Sequence, residues 1–172
     1  TKAMDLVSGI IMPTPSAMLV AMELLSDGWE EVPGIGELVG VDLGGATTDV
    51  YSVADGNPAN ASTVIKGLPE PYTKRTVEGD IGMRYRVKGI LEAVGERRLS
   101  KISGINKNRV VELVSWLEQH TDYIPDNEEM EKMDYALACA AVETAVERHS
   151  GSLEQVFTPC GLTYVQSGKD LR

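Results

Sequence analysis

The sequence predicts an α/β chain in which a small mixed or antiparallel sheet, built around a glycine-turned hairpin, is followed by a mostly helical part. Three observations carry this. Residues 38–43 alternate, with Leu38, Gly40 and Asp42 on one face and Val39, Val41 and Leu43 on the other. After Gly44-Gly45, the residues Val50, Tyr51 and Val53 resume the apolar character of a second strand. Beyond residue 79, three stretches place apolar residues at helical spacing. The 172 residues, 42% of them hydrophobic, suffice for one compact domain or two small subdomains. A division near residue 78 separates helix plus sheet (about 1–78) from the mainly helical remainder (about 79–172).

Taken in order, Thr14-Pro15 reads as a helix start, a capping hydroxyl with Pro in the first turn. Met18, Met22 and Leu25 then share a face, and Gly28 closes the helix. A loop holding Pro33, Gly34 and Gly36 leads into the hairpin, and Asp55-Gly56-Asn57-Pro58 turns the chain out of it. Residues 62–66 form a candidate third strand with Val64 and Ile65 as its apolar core. Residues 67–71 are too rich in proline for a regular element. Asp80 is placed to cap the next helix, whose stripe Met83, Val87, Ile90, Leu91 and Val94 ends at Gly95. Val110, Leu113, Val114 and Leu117 mark a second helix. A third runs from about Asn127 to His149, with Glu128, Glu129 and Glu131 at its positive end. Its face of Met130, Met133, Leu137, Ala141 and Ala145 is small enough to pack closely on a sheet.

The net charge is −10, unevenly spread. Between Lys74 and Arg109 stand ten Lys/Arg against four Asp/Glu, so this stretch is +6 and the remainder −16. The split suits either a basic surface meeting phosphates or an acidic partner, or a solvated helix face. Strong overall acidity and 5% aromatic content disfavour nucleic acid as a partner. No apolar run approaches a membrane span, and no signal-peptide pattern opens the chain. Cys139 and Cys160 lack metal-ligand spacing, and Cys139 reads as a buried thiol of an alanine-rich helix. His120 and His149 stand alone near helix ends and do not read as metal ligands. A reducing, cytoplasmic setting fits. The chain opens Thr-Lys and ends Asp-Leu-Arg, which reads as a piece of a longer protein or a processed chain.

The most informative segment is Asp42-Leu43-Gly44-Gly45-Ala46-Thr47-Thr48-Asp49. A turn without side chains at Gly44 and Gly45 lets an anion approach backbone N–H groups. Asp42 and Asp49 repel phosphate but suit Mg²⁺ or its waters, and the metal then bridges to phosphate. A plain hairpin also uses Gly-Gly and flanking Asp. The segment is neither a Walker loop nor a dinucleotide fingerprint. It resembles the second phosphate motif of the actin-like ATPase superfamily, of ribonuclease H-like fold, which implies that this chain is one half of such a domain with a phosphate-binding hairpin.

A closer resemblance appears when this turn is read with the string from Gly67-Leu68-Pro69-Glu70-Pro71 through Glu78-Gly79-Asp80-Ile81-Gly82-Met83-Arg84, and with Met12-Pro13-Thr14-Pro15-Ser16-Ala17. Together they resemble the glutamate mutase accessory family, of MutL or GlmL type and unrelated to mismatch repair, over essentially the whole chain. The family implies an ATP-dependent, chaperone-like reactivating factor that releases damaged cobalamin from an adenosylcobalamin-dependent mutase. Its client would be that mutase, its cofactors ATP and Mg²⁺. Carried over from the superfamily, Gly44, Gly45, Ala46, Thr47 and Thr48 would meet the phosphates. Asp42 and Asp49 would hold hydrated Mg²⁺. Gly79, expected at a helix start, would approach the nucleotide, with Glu78 and Asp80 as further candidates near metal or water.

Ala46 replaces a third glycine, and Glu78 stands where DnaK-type chaperones have the first of two glycines. Thr14 replaces their glutamate before Pro15, and Thr is no general base near neutral pH, so the water-activating group lies elsewhere or is weak. The first phosphate motif and the adenosine motif are missing from this stretch. The piece alone is therefore expected not to hydrolyse ATP. Two other functions compete: a small-molecule kinase of the same fold, and a docking module that no longer uses nucleotide.

Overall fold

A computed structural model describes residues 12–58, 62–159 and 161–171. Cys160 lies outside the described residues. The elements are α1 (Thr14–Asp27), β1 (Gly28–Trp29), β2 (Val32–Pro33), β3 (Leu38–Leu43), β4 (Thr48–Val53), β5 (Thr63–Lys66), β6 (Thr73–Glu78), α2 (Val87–Ser103), α3 (Lys107–Gln119), α4 (Glu128–His149), β7 (Ser152–Thr158) and β8 (Gly161–Ser167). Described in this way, the chain is mixed α/β with small antiparallel and mixed sheets.

The sheet that carries the glycine turn is antiparallel, in the order β3-β4-β6. Its middle strand is covered on both faces. On one side α1 lies so close that a Cβ at Gly40 would meet the Met22 side chain at 2.8 Å. On the other side α4 brings His149 to Ser52 of β4 and Thr76 of β6, at 2.8 Å each. Val50, Tyr51, Ser52 and Val53 are therefore all buried, and the strand loses the two-faced pattern of a half-exposed sheet.

The second half of the chain packs α2, α3 and α4 around Ile90, Leu99, Val110, Leu113, Leu117, Met133 and Leu137. The stripes expected on the last two helices are the buried ones, and Asn127 caps α4 through a bond from Met130 N–H at 3.0 Å.

Several local expectations change. Thr14 does not cap α1: the extended Pro13 holds that position, and its carbonyl accepts from Ser16 and Ala17 N–H, both at 3.0 Å. Leu25, on the face it shares with Met18 and Met22, is half exposed. Val64 and Ile65 do lie in a strand, but on an exposed one, because β5 is the edge of a separate mixed sheet, β5-β8-β7. Gly95, with φ 76° and ψ 159°, breaks the helix where the stripe was expected to end, and a second helical segment runs on from it to Gly104, which is left-handed. Cys139 is half-buried, not fully enclosed. The strand β6 and the hairpin β7–β8 were not among the expected elements. Both are amphipathic only weakly, with Lys74 and Arg75 inside β6 and exposed apolar residues such as Phe157 in β7.

Half of the ten basic residues counted between Lys74 and Arg109 are spent on carboxylates. Lys74 pairs with Glu70, Arg75 with Asp49, Arg84 with Asp134, Arg98 with Glu143, and Arg109 with Glu112 and Glu129. The charge split along the sequence is thus partly cancelled in space.

Candidate functional site

Strands β3 and β4 pair residue for residue up to the turn, with Leu43 opposite Thr48 and Asp42 opposite Asp49. Direct partners in an antiparallel pair point to the same side, so the two carboxylates share one sheet face beside the turn. Asp42 is exposed and makes no hydrogen bond or ion pair among the described residues. Asp49 is held instead: Arg75 reaches it at 2.5 Å, and Thr47 Oγ1 donates to it at 3.5 Å. Facing like charges destabilise a strand pair by roughly 0.2–1 kcal/mol. A cation between them would reverse that sign.

The turn itself is braced from below. Gly44 N–H donates to Thr47 O at 2.9 Å. Met83 N–H donates to Gly44 O at 3.0 Å, and Arg84 and Tyr85 N–H both donate to Gly45 O at 2.9 Å. Thr48 is fully buried beneath the turn, and its hydroxyl donates to Ile81 O at 3.0 Å. Arg84 is itself locked, with a bidentate pair to Asp134 at 2.9 and 2.8 Å and further bonds to the carbonyls of Met83 and Tyr123. What this bracing leaves over is informative. The consecutive N–H groups of Gly45, Ala46 and Thr47 have no acceptor among the described residues. Unpaired amides in a row at a fixed turn are donors that a small anion could accept.

Two glycines of the turn differ in why they are glycine. A Cβ at Gly44 would come within 2.8 Å of Thr47 O, so the turn's own backbone excludes a side chain there. A Cβ at Gly45 would meet the Tyr85 ring at 3.7 Å and Arg84 Cβ at 4.0 Å, ordinary contacts, and its φ is not left-handed. Nothing within the described fold demands glycine at 45.

Gly79 and Asp80 form a turn after β6, seven residues or more ahead of α2, and neither Gly79 nor Asp80 opens that helix. The reason is local: the N–H groups of residues 83–85 are used on the glycine turn and cannot begin a helical ladder. Glu78 and Asp80 converge on Arg148, at 2.6 and 2.8 Å, which ties this loop to the end of α4. The guanidinium lowers the Asp80 carboxyl below its usual range. Gly79 itself has open space where a Cβ would stand.

The residue that sequence reasoning missed is Gly82. A Cβ there would lie 2.6 Å from Ala46 C and 2.7 Å from Gly45 O, so its bareness lets the 81–85 segment press against the turn. Its signal in the sequence is its place in the Glu78-to-Arg84 string, outside any predicted turn. Arg75 was missed as well, because the diagonal from β6 to β4 that joins it to Asp49 exists only in the folded sheet. A cavity of about 210 Å³ lined by Asp80, Tyr85, Arg86, Lys88 and Glu92 lies next to Tyr85. The larger cavities do not include the turn residues.

Among the described residues, no group of three or more His, Cys, Asp or Glu is placed to hold a metal ion unaided. The donor set fits a hydrated divalent ion that completes its shell with phosphate and water: two facing carboxylates, one of them unpaired, next to free amides. No helix among the described residues is long and apolar enough to cross a membrane.

Fold and site together define a mixed α/β unit organised around a braced glycine turn and a facing pair of aspartates. A family profile described as MutL protein matches residues 1–172. Protein MutL of Clostridium tetanomorphum is 45% identical over 171 residues, which is 99% of this chain and 37% of that protein. The chain belongs to the MutL family, the glutamate-mutase-associated one and not the mismatch-repair protein of the same name. It spans little more than a third of the length of that relative. No solved structure matches the chain.

Proposed function

We propose that this chain supplies the phosphate turn and the Mg²⁺-holding carboxylates of an actin-like ATPase domain of ribonuclease H-like fold. The complete protein would be an ATP-dependent, chaperone-like reactivating factor that releases damaged cobalamin from an adenosylcobalamin-dependent mutase, glutamate mutase being the class its family points to. The observation that carries the nucleotide part is the set of three unpaired amides at 45–47, held rigidly beside Asp42 and Asp49. Such donors need no reorganisation to receive phosphate oxygens. Bound Mg²⁺ would neutralise phosphate charge, with Asp42 and Asp49 as its protein-side holders.

The chain's own residues divide the work simply. Gly45, Ala46 and Thr47 donate from the backbone. Thr48, Gly82 and Arg84 fix the turn without facing the ligand. Gly79 and Asp80 stay on the rim, with Asp80 and Glu78 committed to Arg148. Thr14 is an exposed helix-start residue without a side-chain cap bond, so it supplies no general base. The family supports the mutase part of the reading.

The test follows the γ-phosphate of labelled Mg-ATP, with the full-length protein and a mutase inactivated by a cobalamin analogue. Faster release of free phosphate with the stalled mutase, together with recovered mutase activity, is the expected result. Label on a small metabolite, indifferent to the mutase, would replace this reading with a kinase. No nucleotide dependence at all would leave a docking module.

A further inference from the structure

A cation already serves this site from within the chain. Arg75 places Nη2 at 2.5 Å and Nε at 2.9 Å from the same oxygen of Asp49. Its guanidinium carbon also stands 5.9 Å from the ring centroid of Tyr51, its direct cross-strand partner. The side chains of Arg75 and Asp49 are 31% and 13% exposed, so the pair is only partly screened by water. One guanidinium thus covers one of two facing carboxylates and leaves Asp42 bare.

A divalent ion held by both aspartates must displace Arg75 from that oxygen or share it with a positive charge. Either is unfavourable while Arg75 has no other anion to bind. A phosphate group arriving with the ion removes the conflict, because a guanidinium fork pairs with phosphate as well as with carboxylate. We infer that Arg75 is the resident counter-ion of this site, so that Asp42 and Asp49 take up a divalent ion only together with a phosphate-bearing ligand. The inference deepens the Mg-nucleotide reading above and rests on it.

The test is a Mn²⁺ titration of the full-length protein, without and with ATP, read by the paramagnetic resonance signal of the free ion against the same titration lacking protein, so that uptake is counted only beyond what ATP chelates by itself. Arg75→Gln is expected to bind Mn²⁺ alone about five- to tenfold more tightly than wild type, since it frees a partly buried carboxylate from a charged partner. With ATP present that advantage should vanish or reverse. Equal Mn²⁺ affinity of the two proteins without ATP would overturn the role of Arg75 while leaving the nucleotide site standing. If neither takes up Mn²⁺ even with ATP, the Mg-nucleotide reading itself falls, and the role of Arg75 with it.

Wild-type protein gives a second readout that does not depend on Arg75→Gln folding. The Arg75 Nε–H resonance, assigned by its loss in Arg75→Lys, should move with Mg-ATP and stay put with Mg²⁺ alone. A shift with Mg²⁺ alone overturns the inference.

Discussion

A methyl group at residue 82 would press on Ala46 and Gly45 backbone atoms, whereas one at residue 45 would meet the Tyr85 ring and Arg84 Cβ at ordinary contact distance. The two glycines therefore separate folding from binding. Gly82→Ala should cost about 1–3 kcal/mol in urea unfolding, through the displacement of the turn it forces. Gly45→Ala should leave stability within about 0.5 kcal/mol of wild type, or raise it slightly, while weakening nucleotide affinity where an anion sits close to the backbone. Equal effects of both on stability would remove the distinction. His149 offers a pH test. Fully buried and flanked by the Lys74 ammonium, it is pushed down from 6.5 to about 4, burial being the larger cause. The unfolded chain then binds the extra proton first, so the stabilisation is complete above pH 6.5 and is lost as the pH falls towards 4. The loss should be on the order of 3 kcal/mol in unfolding free energy. His149→Gln, which keeps a neutral polar group near Ser52 and Thr76, should flatten the pH dependence in that window.

At the scale of elements, the hairpin β3–β4 is held by what packs against it rather than by its own turn chemistry. Segment 81–85 gives up a turn of helix to hydrogen-bond the glycine turn, and α4 closes the opposite end of the sheet through His149. Helix α4 does two jobs with one small-residue face. Ala136, Ala140 and Ala141 join the helical core, and its last turn rests on the sheet. Ala141→Leu should cost about 1–3 kcal/mol by overpacking, measured by thermal or urea unfolding. Asn127→Ala should cost about 1 kcal/mol through loss of the cap alone. Much of this was legible: the periodicity of α3 and α4 is strong, and their buried residues are the ones the spacing selects. Strand β6 and the β7–β8 hairpin were not, because their side chains are half-exposed and polar or apolar on both faces, which blurs a period of two.

Across the whole molecule, charge that is separated along the sequence is brought back together in space. Five basic residues of the stretch from Lys74 to Arg109 pair with carboxylates from Asp49 to Glu143, and several of these ion pairs tie separate elements together. The glycine turn, by contrast, keeps three backbone donors and one carboxylate unspent. Asp42→Ala in the full-length protein should therefore leave unfolding within about 0.5 kcal/mol of wild type, since Asp42 has no partner to lose, and should abolish Mg-ATP-dependent function. Retained nucleotide dependence would count against the site.

The sequence by itself determined the helices with a clean 3.6-residue period, the hairpin around Gly44-Gly45, the presence of an aspartate on either side of that turn, and the family. Each of these is a local pattern, or a contiguous string, that needs no knowledge of what packs where. Tertiary structure alone decided which backbone amides of the turn stay free, that Thr48 lies beneath it, that Gly82 is bare for packing, and that Arg75 guards Asp49. These depend on contacts between residues far apart in the chain, and on hydrogen bonds made or left unmade once every nearby group has chosen its partner.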